Sequence, residues 1–179
     1  ENFGYKTRVV LPIQAVLETA GQSATLQARV SLLACSTVCV PHDFDLALTI
    51  PAGTGIDAKA AGLISEYAQR VPLGPEESDI IVETAVIADD ALYVTARSAN
   101  AFVKPDIFPE LGPEFTFGKP DIRTDDAGTA LWAKLPLLAQ GEDPPPLQLT
   151  VTDGSRAVTA QPAWSERIPG APFEVMANL

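Results

Sequence analysis

Apolar and polar residues alternate with a period of two along much of this chain, as expected of strands buried on one face. In ATLQARVSL (24–32), Leu26, Ala28, Val30 and Leu32 fall on one side and Gln27, Arg29 and Ser31 on the other. DFDLALTI (43–50) sets Phe44, Leu46, Leu48 and Ile50 against Asp45, Ala47 and Thr49. Further strands are predicted at 7–18, 80–88, 91–98 and 131–137. PLQLTVTDGSRAVTAQ (146–161) reads as a hairpin around Asp153-Gly154-Ser155, with Gly154 free to take the positive φ of a tight turn. One segment departs from this period. Ala60, Leu63, Ile64, Tyr67, Ala68 and Val71 recur at helical spacing, which predicts a helix over 58–71, capped by Asp57 and ended by Pro72. The stretches 98–126 and 139–146 are rich in proline, glycine and acids and are predicted as loops. Strands do not alternate regularly with helices, which disfavours an α/β fold. The expected class is all-β in the main: an immunoglobulin-like antiparallel β-sandwich with one inserted helix.

Composition narrows the picture. A length of 179 residues suits one domain or two small ones, and a 46 % hydrophobic content is ample for a core. The 16 prolines exceed the usual share of about 5 % and favour strands and turns over helices. A net charge of −11 excludes phosphate-backbone binding, so nucleic acid is not an expected partner. No run approaches the roughly 18 apolar residues of a membrane span. Asn2, Tyr5, Lys6 and Arg8 interrupt any apolar signal-peptide core at the start, so an exported protein is expected here as a mature or excised segment.

The chemistry concentrates in ACSTVCVPHDFDL (34–46), which holds both cysteines, Cys35 and Cys39, and the single histidine, His42. Three readings are open. As a staple, a disulfide closing about five residues contributes only about 2 kcal/mol in the chain-entropy model, against about 4.7 for a loop of about 100. As a metal site, Cys35, Cys39 and His42 with Asp43 or Asp45 lack the second ligand cluster of structural zinc. Two thiolates suit Cu(I), but the one methionine, Met176, is far along the chain. As a redox pair, the cysteines follow a strand-like run and precede Pro41, so they do not open a helix as thioredoxin-type cysteines do. No Lys or Arg lies between Arg29 and Lys59, so sequence neighbours stabilise a thiolate little. Such a pair is expected to pass electrons on rather than to act as a strong oxidant. His42 and Asp43 are the nearest groups that could assist proton transfer. Glu76-Glu77 and Asp125-Asp126 read as solvated loop charges, and Trp132 and Trp164 as core or edge aromatics.

LLACSTVCVPHDFDLALTIPAG (32–53) resembles the N-terminal periplasmic domain of DsbD-type transmembrane disulfide reductases, in particular the ScsB branch. FGYKTRVVLPI (3–13), FPE (108–110) and LTVTDGSRAV (149–158) extend the likeness. The resemblance implies an immunoglobulin-like domain in the periplasm, part of an inner-membrane protein. Its catalytic pair would be Cys35 and Cys39, Cys39 forming mixed disulfides and Cys35 resolving them. It also implies a protein-disulfide reductase that needs no small-molecule cofactor or metal. The parent transmembrane domain supplies electrons through a thioredoxin-like domain, and disulfide-isomerase-type proteins receive them. Three features depart from the family. DsbD itself spaces its cysteines more widely, the motif usually falls late in its domain, and an aromatic cap loop shields the pair. Phe102, Phe108, Phe115 and Phe117 are candidates for that cap, with core packing as the alternative. The expected organisation is one sandwich over 1–179. In the alternative, 1–55 ends one sandwich and 56–179 forms a second. The rival functions are a non-catalytic interaction module with a structural disulfide and a Cu(I)-handling domain.

Overall fold

The computed structural model describes residues 4–142 and 146–171. The chain forms two compact units, Val10–Ala68 and Glu1–Val9 with Gln69–Leu179.

The unit Val10–Ala68 is built on one long hairpin. Strands β1 (Ala24–Cys35) and β2 (Cys39–Ile50) pair antiparallel over twelve residues each, from Ala24↔Ile50 at the open end to Cys35↔Cys39 at the tip. The register follows from the alternation, because a slip by one residue would move every apolar side chain to the polar face. Helix α1 (Ala58–Ala68) follows. Asp57 Oδ1 accepts the amides of Lys59 and Ala60 at 3.0 Å each, which satisfies two of the free donors of the first turn. The helix stops three residues short of the predicted end. Pro72 is the reason: its ring clashes with the carbonyl four residues earlier, that of Ala68. The predicted strand over 7–18 does not form. That segment has the apolar residues of a strand, but it finds no pairing partner among the described residues, and Pro12 lacks a donor.

The larger unit is an all-β sandwich. One sheet is ordered β10-β9-β5 and the other β11-β3-β4-β8-β6, with β7 also pairing β8. The strands are β3 (Ile80–Ala88), β4 (Ala91–Ser98), β5 (Pro105–Glu110), β6 (Thr116–Phe117), β7 (Asp121–Thr124), β8 (Ala130–Ala139), β9 (Gln148–Asp153), β10 (Arg156–Ala160) and β11 (Ala163–Trp164). Pairing is antiparallel throughout except between β11 and β3. Between the sheets, Leu92, Val94, Leu131 and Leu135 meet Ile107, Leu149, Val151 and Val158, all fully buried.

Two expectations are corrected here. The stretch 98–126 is not all loop: it carries β5, β6 and β7. Pro105 and Pro109 are tolerated because β5 is an edge strand, pairing β9 alone among the described residues. Asp125 is not a merely solvated charge either. Its carboxylate accepts the amides of Thr129 at 2.7 Å and Ala130 at 2.9 Å and shapes the turn into β8. The β9–β10 hairpin forms as predicted, with Gly154 at φ 65°.

Candidate functional site

The two cysteines sit where the hairpin ends. Cys35 closes β1, Cys39 opens β2, and Ser36-Thr37-Val38 turns between them, with the Ser36 amide donating to the Val38 carbonyl at 3.2 Å. Cys35 and Cys39 are joined by a disulfide with their Cα atoms 4.0 Å apart, and both are exposed. No other residue is needed to bring them together, since the ladder register alone places them opposite one another.

Strand parity decides what surrounds the sulfurs, because alternate residues face opposite sides. The disulfide face continues through Leu33↔Pro41, Ser31↔Asp43, Arg29↔Asp45 and Thr25↔Thr49. Ser31 donates to Asp43 at 2.6 Å, Arg29 to Asp45 at 3.0 Å, and the Thr25 and Thr49 hydroxyls meet at 3.3 Å. The opposite face carries the apolar series, His42 included. The His42 ring stacks near Phe44, centroids 6.1 Å apart and planes within 8°.

Of the predicted site residues, the structure therefore assembles Cys35 and Cys39 and leaves the other two apart from them. His42 lies on the other face. Asp43 shares the disulfide face, but four residues along the strand from Cys39 is about 13 Å, and its carboxylate is engaged by Ser31. What the sequence reading did not single out is the rim of the disulfide: Leu33 and Pro41 on its own face and Val38 in the turn, all exposed. Counting parity outward from the cysteines would have found Leu33 and Pro41. Among the described residues, no three His, Cys, Asp or Glu side chains converge as metal ligands.

The aromatic residues considered for a cap belong to the larger unit. Phe102, Phe115 and Phe117 are buried in its core, and Phe108 lies half-buried on β5. Trp132 is buried in a second cluster with Tyr93 and donates its indole N–H to the Pro169 carbonyl at 2.8 Å, whereas Trp164 is exposed. The principal charge cluster of this unit centres on Arg156. Its guanidinium donates to Asp79 at 2.6 Å, Ser98 at 2.8 Å, the Ala101 carbonyl at 3.1 Å, and Asp153. Asp153 also accepts the amides of Val103 at 2.9 Å and Lys104 at 2.6 Å. Hydrogen bonds from Asn100, Arg156 and Ser98 lower the Asp79 pKa despite opposing burial. At Asp153 burial is the largest influence and pushes upward, yet the Lys104 and Val103 amides with Arg156 together hold the pKa below its ordinary value. These hydrogen bonds tie β10 to the 98–104 connection.

Residues 70–167 match the model of a family described as a domain of unknown function (DUF8393), and this is more than half of the chain. The chain belongs to the DUF8393 family. The matched residues lie in the sandwich unit and exclude both cysteines, so membership assigns the disulfide no role. No curated protein matches the sequence. Among solved structures, the N-terminal periplasmic domain of ScsB from Proteus mirabilis is similar, at 18 % identity and a TM-score of 0.59. The likeness covers 82 % of this chain but only 58 % of that one. It bears out the ScsB-like expectation at the level of fold. It is also longer than the sandwich unit, so it reaches into Val10–Ala68. The neighbour is a periplasmic domain, and among the described residues of this chain no helix is long and apolar enough to cross a membrane.

Proposed function

We propose that the hairpin tip is a thiol–disulfide exchange site that reduces disulfides of exported thioredoxin-fold proteins, working in the periplasm beside a membrane-embedded electron donor. The observation that carries this reading is the position of the disulfide. It joins two residues that the ladder has already placed opposite each other, at an exposed tip. A loop of about five residues gives a cross-link only about 2 kcal/mol in the chain-entropy model. A bond of so little structural value, with both sulfurs open to a partner, suits exchange better than stapling. Leu33 and Pro41 beside the disulfide, with Val38 in the turn, offer an uncharged surface on which a partner's own cysteine region can dock. The fold likeness to a ScsB periplasmic domain supports the same reading.

The reaction runs in two displacements. In the reduced protein, the Cys39 thiolate attacks one sulfur of a partner disulfide. The mixed disulfide forms, and the partner's other sulfur leaves as a thiolate and takes a proton. The Cys35 thiolate then attacks the Cys39 sulfur, the Cys35–Cys39 bond forms, and the partner's second sulfur leaves as a thiolate and is protonated. Two electrons and two protons reach the partner. A thioredoxin-like dithiol returns the pair to the reduced state by the same exchange in reverse. Neither His42 nor Asp43 lies against the sulfurs, so solvent exchanges these protons.

Trapping tests the reading. Cys35→Ala leaves Cys39 without its resolving thiol, and Cys39→Ala serves as the control. Each is mixed with an oxidised thioredoxin-fold protein and run on a non-reducing gel. A covalent adduct with Cys35→Ala alone is expected. No adduct from either variant, with both folded, would return the disulfide to a structural role.

A further inference from the structure

The outer face of the sheet that contains β4 and β8 carries a small aromatic groove, and the chain itself lies in it. Tyr93 on β4 and Trp132 on β8 alternate with residues of the inter-sheet core, so both point away from that core. Their ring centroids are 6.0 Å apart, with the planes tilted by 56°. After β11 the Ser165 amide donates to the Ala85 carbonyl at 2.8 Å, and the chain bends at Glu166 and Arg167 to cross this face. There the Trp132 indole donates to the Pro169 carbonyl at 2.8 Å, and Ala171 is buried in one cluster with Val86, Ala91, Tyr93 and Trp132. Ile168–Ala171 forms no strand. The proline ring fixes φ at Pro169 and biases Ile168 toward extended geometry, so the segment is ordered before it docks. An indole N–H on the carbonyl of such a segment is the chemistry by which aromatic grooves take proline-containing peptides.

Two further observations separate the groove from its cover. The DUF8393 match, 70–167, includes Tyr93, Arg123, Trp132 and Lys134 and ends before Ile168. The cover is also incomplete, because about 450 Å³ stays open between it and the side chains of Asp121, Arg123 and Lys134. Arg123 lies 5.3 Å from the Trp132 ring centroid and pairs with Asp121 at 2.7 Å. Lys134 sits 5.5 Å from the Tyr93 ring centroid and makes no ion pair among the described residues. In a chain of net charge −11, this corner carries a local excess of positive charge.

We infer that the groove binds a partner's proline-containing segment with an acidic residue beside the proline, and that Ile168–Ala171 occupies it in cis until the partner displaces it. The strap makes the proline contact, but it places Gly170, which has no side chain, beside the space that Lys134 lines. An acidic residue there gives the partner a charge-assisted contact that the strap lacks. The closed strap lowers the apparent affinity by the fraction of molecules it occludes. Neither cysteine takes part, so the inference stands apart from thiol exchange.

Nuclear magnetic resonance titration of the 179-residue chain tests it, read at the Trp132 indole N–H. The probes are acetyl-Glu-Arg-Ile-Pro-Glu-Ala-amide and the same peptide with alanine in place of proline. A saturable shift is expected with the first, and binding weaker by about tenfold or more with the second, or with Lys134→Met protein. Ala171→Asp opens the strap and should tighten binding by about tenfold or more. Pro169→Gly loosens the strap without adding a charge and should act in the same direction, while amide protection of β9 and β10 reports that each variant is folded. The absence of a saturable shift in the unaltered chain and in both opened variants overturns the inference. Equal binding of the two peptides, binding that Lys134→Met leaves intact, or an affinity unchanged when the strap opens overturns it as well.

Discussion

Strands β2 and β9 carry the same kind of pattern and meet opposite fates. On β9, Leu149 and Val151 alternate with polar residues and are 0 % exposed between two sheets. On β2, Leu46 and Leu48 alternate just as cleanly and lie open. Alternation therefore specifies which face of a strand is to be covered, but not what covers it. The stability of each region follows from the cover, since apolar area contributes about 25 cal/mol per Å² only once it leaves water.

Paired truncations sharpen the contrast most. Leu149→Ala is expected to lower the stability of the sandwich unit by about 2–5 kcal/mol, through lost burial and a residual cavity. Leu46→Ala, in the 179-residue chain, is expected to change stability by less than about 0.5 kcal/mol, as at a surface site. Chemical denaturation followed through Trp132 for the first, and hydrogen exchange of 24–50 for the second, would check both. Comparable losses would break the comparison.

Arg156→Ala should cost the sandwich about 3 kcal/mol, because it strands the Asp153 carboxylate with its charge unpaired. The hairpin amides should not respond. A native-state exchange experiment reads both regions at once.

Acid should also separate the two units. Hydrogen bonds from Asn100 and Arg156 at Asp79, and from the Ala130 and Thr129 amides at Asp125, hold both pKa values below the ordinary 3.8. Asp153 shifts the same way against its burial. A depressed carboxylate contributes stability that is fully present above its unfolded pKa and lost as pH falls through its folded pKa. The sandwich melting temperature should therefore hold steady from about pH 7 to 5 on account of these groups, then drop below about pH 3.8. Asp153→Asn should flatten that drop, which a melting series against pH measures.

The smallest effect is expected at the disulfide. Reduction of Cys35–Cys39 should leave the sandwich melting temperature unchanged and cost the hairpin at most about 2 kcal/mol. A shift in the sandwich transition on adding reductant would contradict the local character of the bond.

Much of this architecture was legible in the sequence, because alternation and turn residues are local signals. The strands over 80–88 and 91–98 form as predicted, and Asp57 caps α1. Where expectation failed, the missing information was non-local. Residues 7–18 have a strand's composition without a pairing partner among the described residues, and β5 has two prolines that only an edge position allows. The turn joining β3 to β4 uses Asp89 and Asp90 at φ 49° and 53°, a left-handed pair written without the usual glycine. The Arg156–Asp79 ion pair spans 77 positions, beyond the reach of any spacing rule. At the candidate site, the cysteines announced themselves, whereas the separation of His42 from them rests on parity: an odd step from Cys39 turns a side chain to the far side.

The hairpin has one more property, which concerns how the molecule keeps rather than how it works. Among the described residues its two strands pair only with each other, so each presents an outer rim of backbone donors and acceptors along twelve residues. Such rims template the addition of further strands from neighbouring molecules. At neutral pH the charge of −11 keeps molecules apart. Near the sequence pI of 4.4 that repulsion vanishes while the rims remain, so aggregation is expected to be fastest on mildly acidic storage, which light scattering against pH would check.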